Sequence, residues 1–176
     1  RPLLLLPMPK DAIVNRLVNE YRVDPEEAEK LARLSRGCLG WAINALERGN
    51  GLLERREEEL DRLNEVCQSG LETRFGLAGE LAGLFYRDRD AVKASLFLWL
   101  RWWRDLLVIK EGAEQYVQNT DRATELRLQA SQLTTGQIVE FIKGILGTLE
   151  ALDRNASARL ALEVLMLDLP NAAVPT

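Results

Sequence analysis

Between positions 91 and 109, apolar side chains recur at Val92, Leu96, Trp99, Trp103 and Leu106, at intervals of four, three, four and three residues. That spacing returns every side chain to one face of a 3.6-residue helix, whereas the pleat of a strand would scatter them over both faces. Phe97, Leu98, Leu100 and Leu107 add a second apolar side, so the predicted helix is central and covered on several faces. Lys93, Arg101, Arg104 and Asp105 interrupt the run. Central charges of this kind cost about 2.5–3.5 kcal/mol each on insertion scales, so the segment reads as a bundle helix and not as a membrane span. Trp102, about a quarter turn from the seam, is the ring left for the surface. Arg101 and Asp105 form an i,i+4 pair, and Arg104-Asp105 is expected to set helix contacts.

The rest of the chain follows the same period, and no alternating strand pattern or internal repeat interrupts it. The predicted fold class is all-α. A helix over 9–21 carries Ile13, Leu17, Val18 and Tyr21 on one side. Asp24-Pro25-Glu26-Glu27 opens the next with a side-chain cap, proline at the first position and acids at the positive helix end. A third helix covers 39–48 and stops at Gly49-Asn50-Gly51, the expected domain boundary, giving domains 1–50 and 51–176. Longer helices follow. One over 52–67 carries Leu53, Leu60, Leu63, Val66 and Cys67, and one from Leu71 carries Phe75, Ala78, Leu81, Ala82 and Phe85. Asp88 caps the central helix, which ends at Gly112. A shorter helix begins at Asn119-Thr120-Asp121, and Thr134-Thr135-Gly136-Gln137 reads as a capping box for the helix to Arg154. Asn155 is expected to cap the last helix, which carries Leu160, Leu162, Val164, Leu165 and Leu167 and stops at Pro170. Gly76, Gly79, Gly83, Gly144 and Gly147 fall inside helices, where small residues permit tight helix packing.

Composition removes several chemistries. The 176 residues contain no histidine, so Ser-His-Asp and Cys-His nucleophiles and His-containing zinc sites are excluded. The acidic run Glu57-Glu58-Glu59 points in three directions around a helix and makes a poor cation site. No Gly-x-x-x-x-Gly-Lys-Ser/Thr loop occurs. Cys38 and Cys67 read as two reduced thiols. Neither catalytic residues, nor a metal site, nor a cofactor are expected. The charges, 23 basic against 27 acidic, are interleaved and not gathered into the basic stripe of a dedicated nucleic-acid binder. Leu3 to Leu6 is too short for a signal-peptide core, and a cytoplasmic protein is expected. The sequence starts at Arg1 without a methionine and is read as a fragment, with a further N-terminal part expected before it.

The segment Leu34-Ser35-Arg36-Gly37-Cys38-Leu39-Gly40-Trp41-Ala42-Ile43 joins two amphipathic helices. Gly37 falls where the first must stop in a left-handed conformation. Gly40 lies in the first turn of its successor, where a missing side chain would admit another backbone. This turn resembles the second-sensor region in the lid domain of AAA+ clamp-loader subunits, where it faces a nucleotide or a neighbouring subunit. The opening Arg1-Pro2-Leu3 through Pro7-Met8-Pro9-Lys10 resembles the segment joining a AAA+ core to its lid. Trp102-Trp103-Arg104-Asp105-Leu106-Leu107 and Asn155-Ala156-Ser157-Ala158-Arg159-Leu160-Ala161-Leu162-Glu163 resemble the C-terminal domain of bacterial DNA polymerase III clamp-loader subunits, most closely the delta prime type.

The resemblance implies a small three-helix AAA+ lid followed by a helical-bundle collar, the oligomerisation domain of a pentameric ring that loads the sliding clamp on primed DNA. Implied partners are the gamma/tau and delta subunits and, through them, the clamp; DNA is met only through the assembled complex, and no membrane is involved. ATP-binding members carry an arginine where this chain has Gly40, so the nucleotide contact does not carry over, and a structural, non-hydrolysing subunit is implied. Ser35, Arg36, Gly37 and Gly40 make up the second-sensor-like turn. The last helix is expected to hold the partner interface, with Leu162 and Leu165 as its contact residues. A gamma/tau-type ATPase fragment and an all-helical ligand-binding or transcription regulator are the alternatives.

Overall fold

A computed structural model describes residues 7–47 and 51–170 of the chain. Among these residues it contains nine α-helices, two 3-10 turns and no strand, the all-α class that the apolar spacing predicts. The helices are α1 (Lys10–Tyr21), α2 (Pro25–Ser35), α3 (Leu39–Glu47), α4 (Gly51–Gln68), α5 (Leu71–Phe85), α6 (Arg89–Lys110), α7 (Ala123–Gln132), α8 (Thr135–Asp153) and α9 (Ala158–Asp168). The 3-10 turns, Glu114–Tyr116 and Thr120–Arg122, lie between α6 and α7. Among the described residues no helix is long and apolar enough to cross a membrane. Two compact units are present, Arg1–Glu57 and Glu58–Thr176. The expected break at Gly49-Asn50 and the opening residues 1–6 lie outside the described residues.

In the first unit α1 packs on α2 and α2 on α3. Ile13, Leu17, Ala28, Leu31, Ala32, Ala42 and Ala45 form its core. The start of α2 has the chemistry expected of it: the Asp24 carboxylate accepts from the Glu26 N–H at 2.9 Å, with Pro25 in the first turn. Tyr21 departs from expectation and is exposed. Each step of four residues drifts about 40° around a helix, which carries Tyr21 past the stripe of Ile13 and Leu17.

The second unit is built around α6, which packs against α5, α7 and α8, while α9 packs on α5 and α8. The seam residues Val92, Leu96, Trp99, Trp103 and Leu106 are all buried, and the Trp103 ring meets Phe141 of α8 at 4.4 Å between centroids. Trp102, expected at the surface, is also fully buried. Its ring can be interior because α7 supplies a polar partner: Trp102 Nε1 donates to Gln129 Oε1 at 2.7 Å. Thr134 and Gln137 form the complete capping box at the start of α8. The start of α9 differs from the prediction. Ser157, not Asn155, is its cap, and Asn155 is the left-handed residue after α8 (φ 57°), its Oδ1 accepting from Arg89 at 3.0 Å.

The glycines inside α5 also depart from expectation. A Cβ added at Gly76, Gly79 or Gly83 would meet nothing within 4 Å, because all three lie on the exposed side of α5. Gly147 is equally open, and only Gly144 makes a packing contact of the expected kind, 3.5 Å from Leu165 Cδ1.

Candidate functional site

Two regions carry the residues singled out by the sequence, and each belongs to one unit.

The first is the turn between α2 and α3. The helix ends as Ser35, buried, turns its hydroxyl back to donate to the Ala32 carbonyl at 2.8 Å. Two consecutive left-handed residues follow, Arg36 (φ 52°) and Gly37 (φ 84°). Arg36 adopts this conformation against the steric preference of an L-residue, at a cost of about 1–2 kcal/mol. Gly37 is required for a second reason. Its carbonyl accepts from the Met8 N–H at 2.9 Å, and a Cβ here would overlap Pro7, 2.9 Å from its Cα. The segment before α1 is therefore seated directly on the turn. Gly40 differs from expectation: a Cβ there would meet nothing within 4 Å, so no backbone approaches it. It sits on the exposed side of α3, away from the face that carries Ala42 and Ala45. The structure thus brings Ser35, Arg36 and Gly37 together with Pro7 and Met8, and leaves Gly40 outside the group.

Arg33, one turn earlier, donates to Glu29 at 2.8 Å, and Lys10 of α1 donates to the same carboxylate oxygen at 3.0 Å. These bonds, that of Arg33 first, hold the Glu29 carboxyl down at about 2. The cation at Arg33 is paired within α2, and Lys10 ties α1 to the same carboxylate.

The second region is the outer side of α8 and α9. Leu162 and Leu165, expected to meet a partner, are 0% and 1% exposed and lie in the core of the second unit. With Ala158, Met166 and Leu169 they form the stripe that α9 lays on α5 and α8. The correction has a simple geometric origin. α9 is apolar on two opposite sides, and Leu162 and Leu165 lie on the one that packs into the core. Leu160, Val164 and Leu167 recur at four and three residues about 180° from the buried stripe, and are 61%, 48% and 55% exposed. Beside them runs a shallow groove of about 410 Å³, floored by Gly144, Gly147 and Ala151 of α8 and bordered by Leu160, Ala161 and Val164 of α9. Leu146 of α8 is also exposed. Asp168 also lines the groove, and Arg159 pairs with Glu163 at 2.8 Å on α9.

The burial of Asp105 and of Arg74 was not read from the sequence. Asp105 is fully buried in α6. Its Oδ2 accepts from the Gln118 N–H at 3.0 Å and from the Asn119 N–H and Nδ2 at 2.8 Å each; its Oδ1 accepts from Arg104 at 2.8 Å. Arg104 also donates to the Tyr116 carbonyl at 2.7 Å. The pair, expected to set helix contacts, fixes the connection after α6. Arg74 is buried in α5 and donates to the carbonyls of Cys67 and Leu169. Arg74 has the buried Cys67 thiol beside it, and among the described residues no three metal-ligating side chains converge.

Compared with protein-family models, with curated proteins and with solved structures, the chain matches none.

Proposed function

We propose that the chain is a structural, non-ATP-hydrolysing subunit of a bacterial DNA polymerase III clamp loader, of the delta prime type, acting in the cytoplasm. Its first unit is the AAA+ lid, its second the collar through which it joins gamma/tau and delta subunits. The observation that carries this reading is the second apolar side of α9. A helix that only closes its own bundle needs one apolar stripe, yet α9 exposes Leu160, Val164 and Leu167 opposite the stripe it buries. Contiguous exposed apolar surface marks association sites. Ring contacts between related but non-identical subunits are heterologous, so one face of the collar meets a different face of its neighbour. The order of the sequence motifs supports the same reading, as does a turn where Gly37, seated on Pro7, stands between the two apolar helices of the lid. Gly40 stands where ATP-binding members carry the second-sensor arginine, which supports a ring member over a motor.

The test is co-expression with gamma/tau and delta clamp-loader subunits, followed by size-exclusion chromatography. The wild-type chain is expected in the ring fraction. Leu160→Glu and Val164→Glu, on the solvent side of α9, are expected to leave the helical circular dichroism unchanged and to remove the chain from that fraction. Elution of the wild-type chain apart from the other subunits refutes the reading; entry of both variants at wild-type concentrations moves the interface elsewhere.

A further inference from the structure

We infer that Arg74 is a positioning residue for the outer surface of α9, an inference that rests on the collar reading for its functional meaning. Arg74 stands in α5, 95 positions from the residue it holds. Its side chain is 3% exposed, and one arm of the guanidinium donates to the Leu169 carbonyl at 2.5 Å while the other donates to the Cys67 carbonyl at 3.2 Å. Both acceptors belong to helix C-terminal ends: Cys67 in the last turn of α4, Leu169 at the cap of α9.

The last turn of a helix leaves its carbonyls without intrahelical donors, and backbone N–H groups just beyond the end commonly satisfy them. At the end of α9 the next residue is Pro170, which has no N–H to give. The Leu169 carbonyl at that end takes its donor from another helix, the Arg74 guanidinium. Its fixed fork suits the task, because two carbonyls in different directions are reached by one planar group. A cation at two negative helix ends is also favourable by charge. That compensation is needed, since burial lowers the Arg74 pKa and pushes the neighbouring Cys67 thiol up to about 12, leaving a neutral sulfur beside the cation.

The consequence reaches the outer surface. Leu167 is two residues before the carbonyl that Arg74 holds, and Val164 is less than one turn further back. With the end of α9 held to α4 and α5, Leu160, Val164 and Leu167 stand in one row before any partner arrives. Without it the last turn frays and the row is shortened from the Leu167 end.

Hydrogen exchange on the full chain separates this role from a merely structural one. Arg74→Met leaves the Leu169 and Cys67 carbonyls without this donor, so its thermal midpoint is expected to fall modestly. Amides 165–169 should exchange at least about tenfold faster, the loss of a hydrogen bond to a charged group, while α6 and α8 change little. Arg74→Lys retains the charge without the fork and should fall between the two, which keeps the test decisive if the methionine variant does not fold. Entry into the ring with gamma/tau and delta should weaken in the same order. Unchanged exchange at 165–169, or acceleration spread evenly over every helix of the second unit, overturns the inference. If the wild-type chain fails to enter the ring, the collar reading falls, while the exchange pattern still decides whether Arg74 holds α9.

Discussion

Replacing Asp105 tests how much of the second unit depends on a single buried carboxylate. Asp105→Ala removes the acceptor for two backbone N–H groups and the Asn119 side-chain amide, and frees Arg104 from one of its partners. A buried donor left unsatisfied costs about 1–3 kcal/mol. Three such donors would total more than breaking a buried charge network usually costs, but the cavity left by the side chain admits water to some of them. With two donors left unsatisfied, a loss of about 2–6 kcal/mol is expected, and Arg104, 39% exposed, adds little to it. Asp105→Asn is the informative comparison. With its carbonyl oxygen at the Oδ2 position it still accepts from Gln118 and Asn119; its amide then faces Arg104, which retains the Tyr116 carbonyl. The weaker bonds of a neutral acceptor are partly offset by no longer burying a charge, so about 1–2 kcal/mol is expected. Three of the chain's four tryptophans are in α6, so intrinsic fluorescence during urea unfolding reports on the unit that contains Asp105. A loss for alanine no larger than that for asparagine would refute the idea that orphaned donors dominate the cost. An alanine variant within 1 kcal/mol of wild type would show that the connection after α6 does not depend on Asp105 at all.

Two further outcomes concern the first unit. Gly37→Ala combines a positive φ with an overlap against Pro7, so a loss of at least about 1–2 kcal/mol is expected in the thermal unfolding of that unit, with Trp41 as its reporter. Glu29, whose folded pKa is depressed to about 2, favours the folded state above its ordinary value of 4.5, and this contribution fades as pH falls from there toward 2; NMR titration of its side chain should show the low midpoint in the wild type and a rise toward 4.5 in Arg33→Met, with an unmoved midpoint excluding the ion pairs as its cause.

What could be read from the sequence, and what could not, divides along physical lines. Features set by local chemistry were legible: the Asp24-Pro25 start, the Thr134 capping box and the four-three seam of α6 each depend on neighbours within a turn or two. Features set by tertiary partners were not. Trp102 looked exposed because Gln129, which satisfies its N–H, lies 27 positions away on another helix. Asp105 and Arg74 are held by groups 13–14 and 95 positions distant. For α9 the sequence shows that both sides are apolar, but only the placement of α5 and α8 decides that Leu162 and Leu165 turn inward. Leu160, Val164 and Leu167 are the apolar residues of α9 left at the surface. Gly40 shows the converse: a glycine on a surface helix looks the same in sequence whether or not a backbone approaches it.

The open glycines of α5 have a consequence for how the second unit comes apart. Gly76, Gly79 and Gly83 each cost a helix about 1 kcal/mol relative to alanine, roughly 3 kcal/mol in all, with no packing contact at the vacant Cβ positions to offset it. Such a segment has little tendency to persist as a helix in water on its own. It is held by its inner side, where Leu77, Ala78, Leu81, Ala82 and Phe85 enter the core and where α9 is its neighbour. The two helices are more than seventy residues apart in the chain but form one cooperative unit of opening, so that a fluctuation lifting α9 should melt α5 with it. A surface presented by α9 is then gated by the coil tendency of a helix that it never displays.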